Sequence, residues 1–161
     1  MQFSVQIEGV DRLKQSTERV RQAIANELAK GMYASVKRVE EEAKKSILQG
    51  GKSGRIYHKG KNGTIVHRAS APGEAPASDT GRLANSIDGR IDLIALKSGL
   101  LEGTVSTELL YGKHLEHGTR NIAARPFLFP AFERSKSWIK DRLDAAVRKA
   151  VISVTVKSAG K

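Results

Sequence analysis

Cysteine is absent from the chain, which excludes disulfide staples, thiol nucleophiles and thiolate metal sites and is compatible with a reducing compartment. Long apolar runs are also missing. No stretch approaches the 18 residues of a membrane span, and the opening Met-Gln-Phe-Ser-Val-Gln-Ile-Glu lacks the basic-then-apolar plan of a secretory leader. No membrane association is expected, and synthesis in a cytoplasm is. Acidic residues are in deficit, 17 against 28 Lys and Arg, giving a net charge of +11 and a pI near 10.1. Such a surplus predicts attraction to polyanions, either nucleic acid or an acidic protein face. There is no internal repeat.

What is present suits one ordinary folded domain over residues 1–161: 39% hydrophobic and 28% charged residues, with a mean hydropathy of -0.38. Gln2 to Glu8 alternates strictly, Phe3, Val5 and Ile7 against polar neighbours, which predicts a half-buried strand. Gly9 breaks it, and Asp11 is placed to cap the next element. From Leu13 to about Gln49, apolar residues Val20, Ile24, Leu28, Met32, Val36, Val39, Ala43 and Ile47 recur every three or four positions, which predicts one long amphipathic helix. Glu40 and Lys44 stand in the favourable acid-first i,i+4 order. A helix this long either bends at Gly31 or packs partly on another subunit.

Gly50-Gly51 ends the helix, and residues 50–78 form an extended basic arm followed by a Pro/Ala-rich loop. Lys52, Arg55, Lys59, Lys61 and Arg68 lie here with no acid before Ser70. Ile56-Tyr57 and Thr64-Ile65-Val66 flank Lys61-Asn62-Gly63, the pattern of a small hairpin. Pro72 and Pro76 keep the following loop extended. Asp79 is the expected cap of a short helix, Thr80 to Ile87, after which runs around Ile91–Ala95 and Leu101–Thr107 predict an antiparallel hairpin. Pro130 opens a second amphipathic helix marked by Phe132, Ile139, Leu143, Ala146, Val147 and Ala150, with Trp138 beside the stripe. The tail, 151–161, begins with the β-branched Val151 to Val156 and reads as a last strand or one added to a neighbouring subunit.

Several fragments of chemical motifs fail on context. Gly51-Lys52-Ser53 resembles the end of a phosphate-binding loop, but Ser46 stands where that loop needs glycine, and a helix precedes it instead of a strand. Asp79-Thr80-Gly81 matches an aspartic-protease triplet without the apolar strand before it. His114 and His117 flank Glu116, but no further ligand lies nearby in sequence, and His58 and His67 sit among cations. No serine has a base and an orienting group around it. No catalytic residue, cofactor or metal is expected, and the chain is not read as an enzyme. Tyr57 interleaved with Lys52, Arg55 and Lys59 leaves an alternative reading, a nonspecific nucleic-acid-binding protein that uses the basic arm.

Other pieces occur together in a distinctive order. They are Ala69-Ser70-Ala71-Pro72-Gly73-Glu74-Ala75-Pro76 leading into Asp79-Thr80-Gly81-Arg82-Leu83 and Ser86-Ile87, then Tyr111-Gly112, Leu115-Glu116-His117-Gly118-Thr119, Ala124-Arg125-Pro126-Phe127 and Pro130-Ala131. In these the chain resembles the minor tail, or tail-completion and neck, family of long-tailed bacteriophages. The resemblance implies a noncatalytic virion component of the neck or head-proximal tail, assembled in the host cytoplasm. It implies a homo-oligomeric ring, sixfold or twelvefold, that joins the DNA-filled head to the tail as adaptor, stopper, tail terminator or tail-completion protein. Its partners would be neighbouring neck and tail proteins, with nonspecific DNA contact in the channel as a further role.

The expected architecture is therefore α+β: a small antiparallel sheet packed against the long N-terminal helix and the C-terminal helix. Tyr111 to Ala131 is its expected elbow, bent at Gly112 and Gly118, stiffened by Pro126 and Pro130, and anchored by Phe127, Phe129 and Phe132. Tyr111, Glu116, Arg120, Arg125, Phe127 and Phe129 are its expected subunit or partner contacts. Lys52, Arg55, Lys59, Lys61 and Arg68 are the expected contacts to DNA or an acidic partner.

Overall fold

The computed structural model describes residues 10–92 and 101–159, with side chains placed for 17–61, 63–92 and 101–153. The expected strand Gln2–Glu8 and the Leu93–Ala95 part of the central hairpin lie outside the described residues. Helix α1 runs over Val10–Leu48, 39 residues, about 58 Å at 1.5 Å per residue. It begins one residue before Asp11, so Asp11 falls inside its first turn and not at its cap. Strands β1 (Ile56–Lys59) and β2 (Ile65–Arg68) form an antiparallel hairpin around a 3-10 turn at Lys61–Gly63. A short helix α2 (Arg82–Ser86) leads directly into β3 (Ile87–Asp92), which pairs antiparallel with β4 (Glu102–Thr107). Helices α3 (Leu110–His117) and α4 (Leu128–Ala159) complete the order. The fold is α+β.

Helix α4 lies antiparallel along α1. Lys149 pairs with Glu27 at 3.1 Å near one end, and Arg134 with Glu42 at 3.7 Å near the other. The Arg38 guanidinium stands 5.9 Å above the Trp138 ring between them. Small residues let the helices approach. A Cβ on Gly31 would stand 3.2 Å from Leu143 Cδ2 and 3.3 Å from the Ala146 methyl, so Gly31 serves close helix packing. Ser35 and Ser135 are buried, and each hydroxyl donates at 2.8 Å to a carbonyl of its own helix, Gly31 and Ala131 respectively. Their polarity is thus satisfied without a cross-helix partner.

The core gathers at the C-terminal half of α1, where Val39, Ala43 and Ile47 meet Leu83, Ala84, Ile87, Phe127 and Ala131. The β3–β4 hairpin packs on α1 through a complementary face. Across it Ile87 is paired with Thr107, Gly89 with Val105, and Ile91 with Gly103. The two glycines leave room for Val36: a Cβ on Gly89 would lie 2.3 Å from Val36 Cγ1, and one on Gly103 2.5 Å from Val36 Cγ2. Glu40 completes the contact. Its carboxylate is buried, accepts the Gly89 N–H at 3.0 Å, and is held by Lys37 at 2.6 Å and Lys44 at 2.5 Å. Burial pushes its pKa up, yet the two ammonium groups outweigh this and hold it below the usual carboxylate range.

Two expectations about local structure are corrected. Asp79 does not cap α2; Gly81 holds the N-cap position at φ 73°, and the Asp79 carboxylate pairs with Lys59 at 2.5 Å. That Lys59 bond holds the Asp79 carboxyl below its usual pKa. The segment Val151 to Val156 is helical as part of α4 and not a strand. No Gly or Pro interrupts the chain from Ala131 to Ala159. Each β-branched residue costs a helix only a few tenths of a kcal/mol, too little to stop one already packed along α1.

Candidate functional site

The pieces scattered from Ala69 to Ala131 converge in space. The Glu74 carboxylate accepts the Ser53 N–H at 3.0 Å, the Ala71 N–H at 2.8 Å and the Ser53 hydroxyl, which closes the loop after β2 on the end of α1. These bonds, the Ser53 hydroxyl first, hold the Glu74 carboxyl down to about 2. Gly73 N–H donates to the Ala124 carbonyl at 2.9 Å, and Arg125 N–H to the Leu115 carbonyl at 2.7 Å. The Arg125 Nε–H reaches the Ser70 carbonyl at 3.3 Å. Arg125 thereby joins a loop 55 residues earlier in the chain to the elbow after α3.

The elbow itself is organised by Glu116. Its carboxylate accepts the backbone N–H groups of Phe127, Leu128 and Phe129 at 2.8, 3.0 and 2.8 Å. These are N–H groups that the start of α4 would otherwise leave without partners, and the negative charge lies at the positive end of the helix. Gly118 makes the return possible at φ 74°, where an added Cβ would meet Ala124 N and Ile122 O at 2.9 Å. Thr119 and Ile122 then close a tight turn by backbone bonds of 2.8 and 3.4 Å, leaving Arg120 exposed at its tip.

The expected contact residues therefore separate into two groups. Phe127 is fully buried in the core, Glu116 is engaged within the chain, and Arg125 is half-buried in its loop contacts. Tyr111, Arg120 and Phe129 are exposed. Of the three phenylalanines expected to anchor α4, only Phe127 does so; Phe129 and Phe132 are 65% and 43% exposed. In the arm, Lys52 turns inward, its ammonium donating to the Ser46 carbonyl at 2.9 Å and the Ala75 carbonyl at 2.7 Å. Burial lowers its pKa despite the nearby Glu74 charge. Lys59 pairs with Asp79, and Arg55 lies 5.5 Å over the Tyr57 ring. Lys61 and Arg68 are exposed.

Two apolar surfaces stand out. The first is a groove of about 520 Å³ between α1, β4 and α4, lined by Met32, Val36, Val39, Val105, Leu128, Phe129, Phe132 and Ile139. Of its polar members, Ser35 and Glu116 are occupied in the bonds above, and the third, His117, is exposed. The second is the β1–β2 hairpin, which leaves Ile56, Tyr57, Ile65 and Val66 between 42% and 62% exposed. Sequence reasoning located the hairpin but missed the groove. Met32, Val36 and Val39 were legible only as one helix stripe, and nothing in that stripe shows which part α4 leaves uncovered.

Among the described residues no group of three His, Cys, Asp or Glu is placed to hold a metal ion, and no helix is long and apolar enough to cross a membrane. Comparison with models of known families, with curated proteins and with solved structures yields no match to this chain.

Proposed function

We propose that this chain is a structural component of a tailed bacteriophage, a ring-forming neck or tail protein that acts in head-tail joining or tail completion. The phage assignment rests on the sequence pieces from Ala69 to Ala131. The observation that carries an assembly role is the β1–β2 hairpin, which presents apolar side chains on both of its faces. A two-stranded ribbon is marginal in water without a surface to cover it, and such exposed apolar residues mark protein contact.

The inward turn of Lys52 and the pairing of Lys59 weigh against the arm as chiefly a phosphate-binding element. The test is assembly of the purified chain, alone and with neck and tail proteins, followed by sedimentation and electron microscopy. Rings, or recruitment to particles, support the reading; a chain that remains monomeric and joins no particle overturns it. Particles lacking the protein should accumulate as unjoined heads and tails or as unfinished tails.

A further inference from the structure

We propose that the outer edge of β2 takes an extended acidic segment of a different protein as a third strand of the arm; this rests on the assembly role above and names the chemistry of the partner. The β1–β2 ribbon is a two-stranded sheet, so each of its edges is unpaired among the described residues. Ala69 N–H donates across the ribbon to the Arg55 carbonyl at 2.9 Å. By the alternation of an antiparallel ladder, the N–H and C=O groups of Val66 and Arg68 then point outward, away from β1. Along this edge Ile65 and Val66 are 60% and 62% exposed, and Arg68 is exposed with no ion pair among the described residues. Lys59 of β1, by contrast, is already held by Asp79 at 2.5 Å.

Charge selects the occupant. From Ile65 to Arg68 the strand reads apolar, apolar, basic, basic, and from Gly50 to Gly73 the chain contains no acid. An antiparallel strand reading acid, acid, apolar, apolar sets carboxylates opposite Arg68 and His67 and hydrocarbon opposite Val66 and Ile65, the cross-strand pairs that stabilise a sheet. The hairpin of a second copy has no acid to offer in any register, so the edge that admits an acidic strand rejects its own kind. A third strand also relieves the marginal stability of a two-stranded ribbon. Main-chain bonds then supply affinity and the side chains selectivity. Phosphates would answer the charge but not the hydrocarbon of Ile65 and Val66.

Segments of this chain outside the described residues do not reach the edge. Both ends of β1 are tied near the last turn of α1: Lys52 bonds the Ser46 carbonyl, and Lys59 holds Asp79, which lines one pocket with Ile47. From Val10 to Ser46 α1 covers about 54 Å, whereas residues 1–9 span at most about 32 Å. Residues 93–100 hang from the Asp92–Glu102 pair, next to Gly103, which lies against Met32. Met32 is about 22 Å from Ile47 along α1, and a loop of that length with both ends fixed reaches out only about 15 Å. Residues 160–161 follow α4 beyond the Lys149–Glu27 pair, toward the other end of α1.

The full-length chain is titrated, with amide NMR as the readout, against the peptide Ser-Glu-Glu-Val-Val-Ser, the charge-reversed Ser-Lys-Lys-Val-Val-Ser and a duplex DNA oligonucleotide. The acidic peptide should bind about tenfold tighter than the basic one and slow hydrogen exchange at the Val66 and Arg68 amides. Arg68→Glu should weaken the acidic peptide about tenfold and strengthen the basic one, while unchanged exchange in α1 and β3–β4 shows that the variant is folded. Equal binding of the two peptides, binding without protection of those amides, or DNA bound in preference to the acidic peptide overturns the strand addition. So does protection of the same amides by self-association in the absence of peptide. Rings, or recruitment to particles, from a chain that takes no acidic peptide overturn this inference and leave the assembly role standing. A chain that binds the peptide yet joins no ring or particle retains the edge and loses the assembly role, and one that does neither loses both.

Discussion

The Glu116 carboxylate accepts the backbone N–H of Phe127 at 2.8 Å, and through this bond and its two companions α3 fixes where α4 begins. An acid that sequence inspection places between two histidines is therefore a helix cap delivered from another helix. Glu116→Ala should destabilise the fold by about 1–2 kcal/mol, the usual cost of a lost cap. For a chain of this length that lowers the midpoint of thermal unfolding by roughly 2–8 °C. Glu116→Gln retains an acceptor oxygen and should lose less. Equal losses for the two variants, by calorimetry, would show that the carboxylate geometry does not set the effect.

The packing of Gly89 against Val36 makes a steric prediction. A methyl group added at Gly89 would stand 2.3 Å from Val36 Cγ1, and both residues belong to packed elements that cannot shift independently. Gly89→Ala should cost about 1–3 kcal/mol, the range of overpacking. Val36→Ala in the same chain should recover part of it, since it removes the opposing methyls. Gly51→Ala is the control, as nothing lies within 4 Å of a Cβ there. Denaturant unfolding of the parent, the two single variants and the double variant gives the coupling; strict additivity of the two substitutions would refute the contact.

How far these features were legible from sequence follows their range. The period of Val36, Val39, Ala43 and Ile47 announces α1, and Ile56-Tyr57 and Ile65-Val66 about Lys61-Asn62-Gly63 announce the arm, because both signals are local. The fate of Glu116 was not legible, since its partners lie 11 to 13 residues on and depend on the turn at Gly118. Lys52 read as an exposed cation because its composition context is basic; its actual partners, the Ser46 and Ala75 carbonyls, appear only once the loop folds back. Val151 to Val156 misled for the opposite reason, a local β signal overridden by the helix already running into it.

Glu74 supplies a pH prediction. Its carboxyl is held at about 2, against an ordinary value of 4.5, by bonds that only the ionised form accepts from both Ser53 and Ala71. A depressed folded-state pKa means the stabilisation is present in full above pH 4.5 and is lost as the pH falls from there through about 2. Hydrogen exchange at the Ser53 and Ala71 amides should therefore accelerate relative to the β3–β4 amides over that window. Glu74→Gln should abolish this pH-dependent component while leaving exchange in α1 unchanged. An identical acid response in the variant would assign the transition to another group.

Arg125 and Arg120 separate folding from assembly. Both were expected contacts to a neighbour, but Arg125 reaches the Ser70 carbonyl at 3.3 Å and the Ala123 carbonyl at 3.5 Å, while Arg120 is exposed at the tip of the turn closed by Thr119 and Ile122. Arg125→Ala should cost about 1 kcal/mol, the net value of an intramolecular hydrogen bond, and loosen the Ala69–Ser78 loop. Arg125→Lys loses the fork geometry that spans both carbonyls and should not restore it. Arg120→Ala should stay within about 0.5 kcal/mol of the parent, as surface substitutions do, so any effect it has on assembly is an interface effect. Thermal unfolding measured beside oligomer size decides the matter: an unstable Arg120→Ala chain, or an Arg125→Ala chain that keeps full stability, would reverse the two assignments.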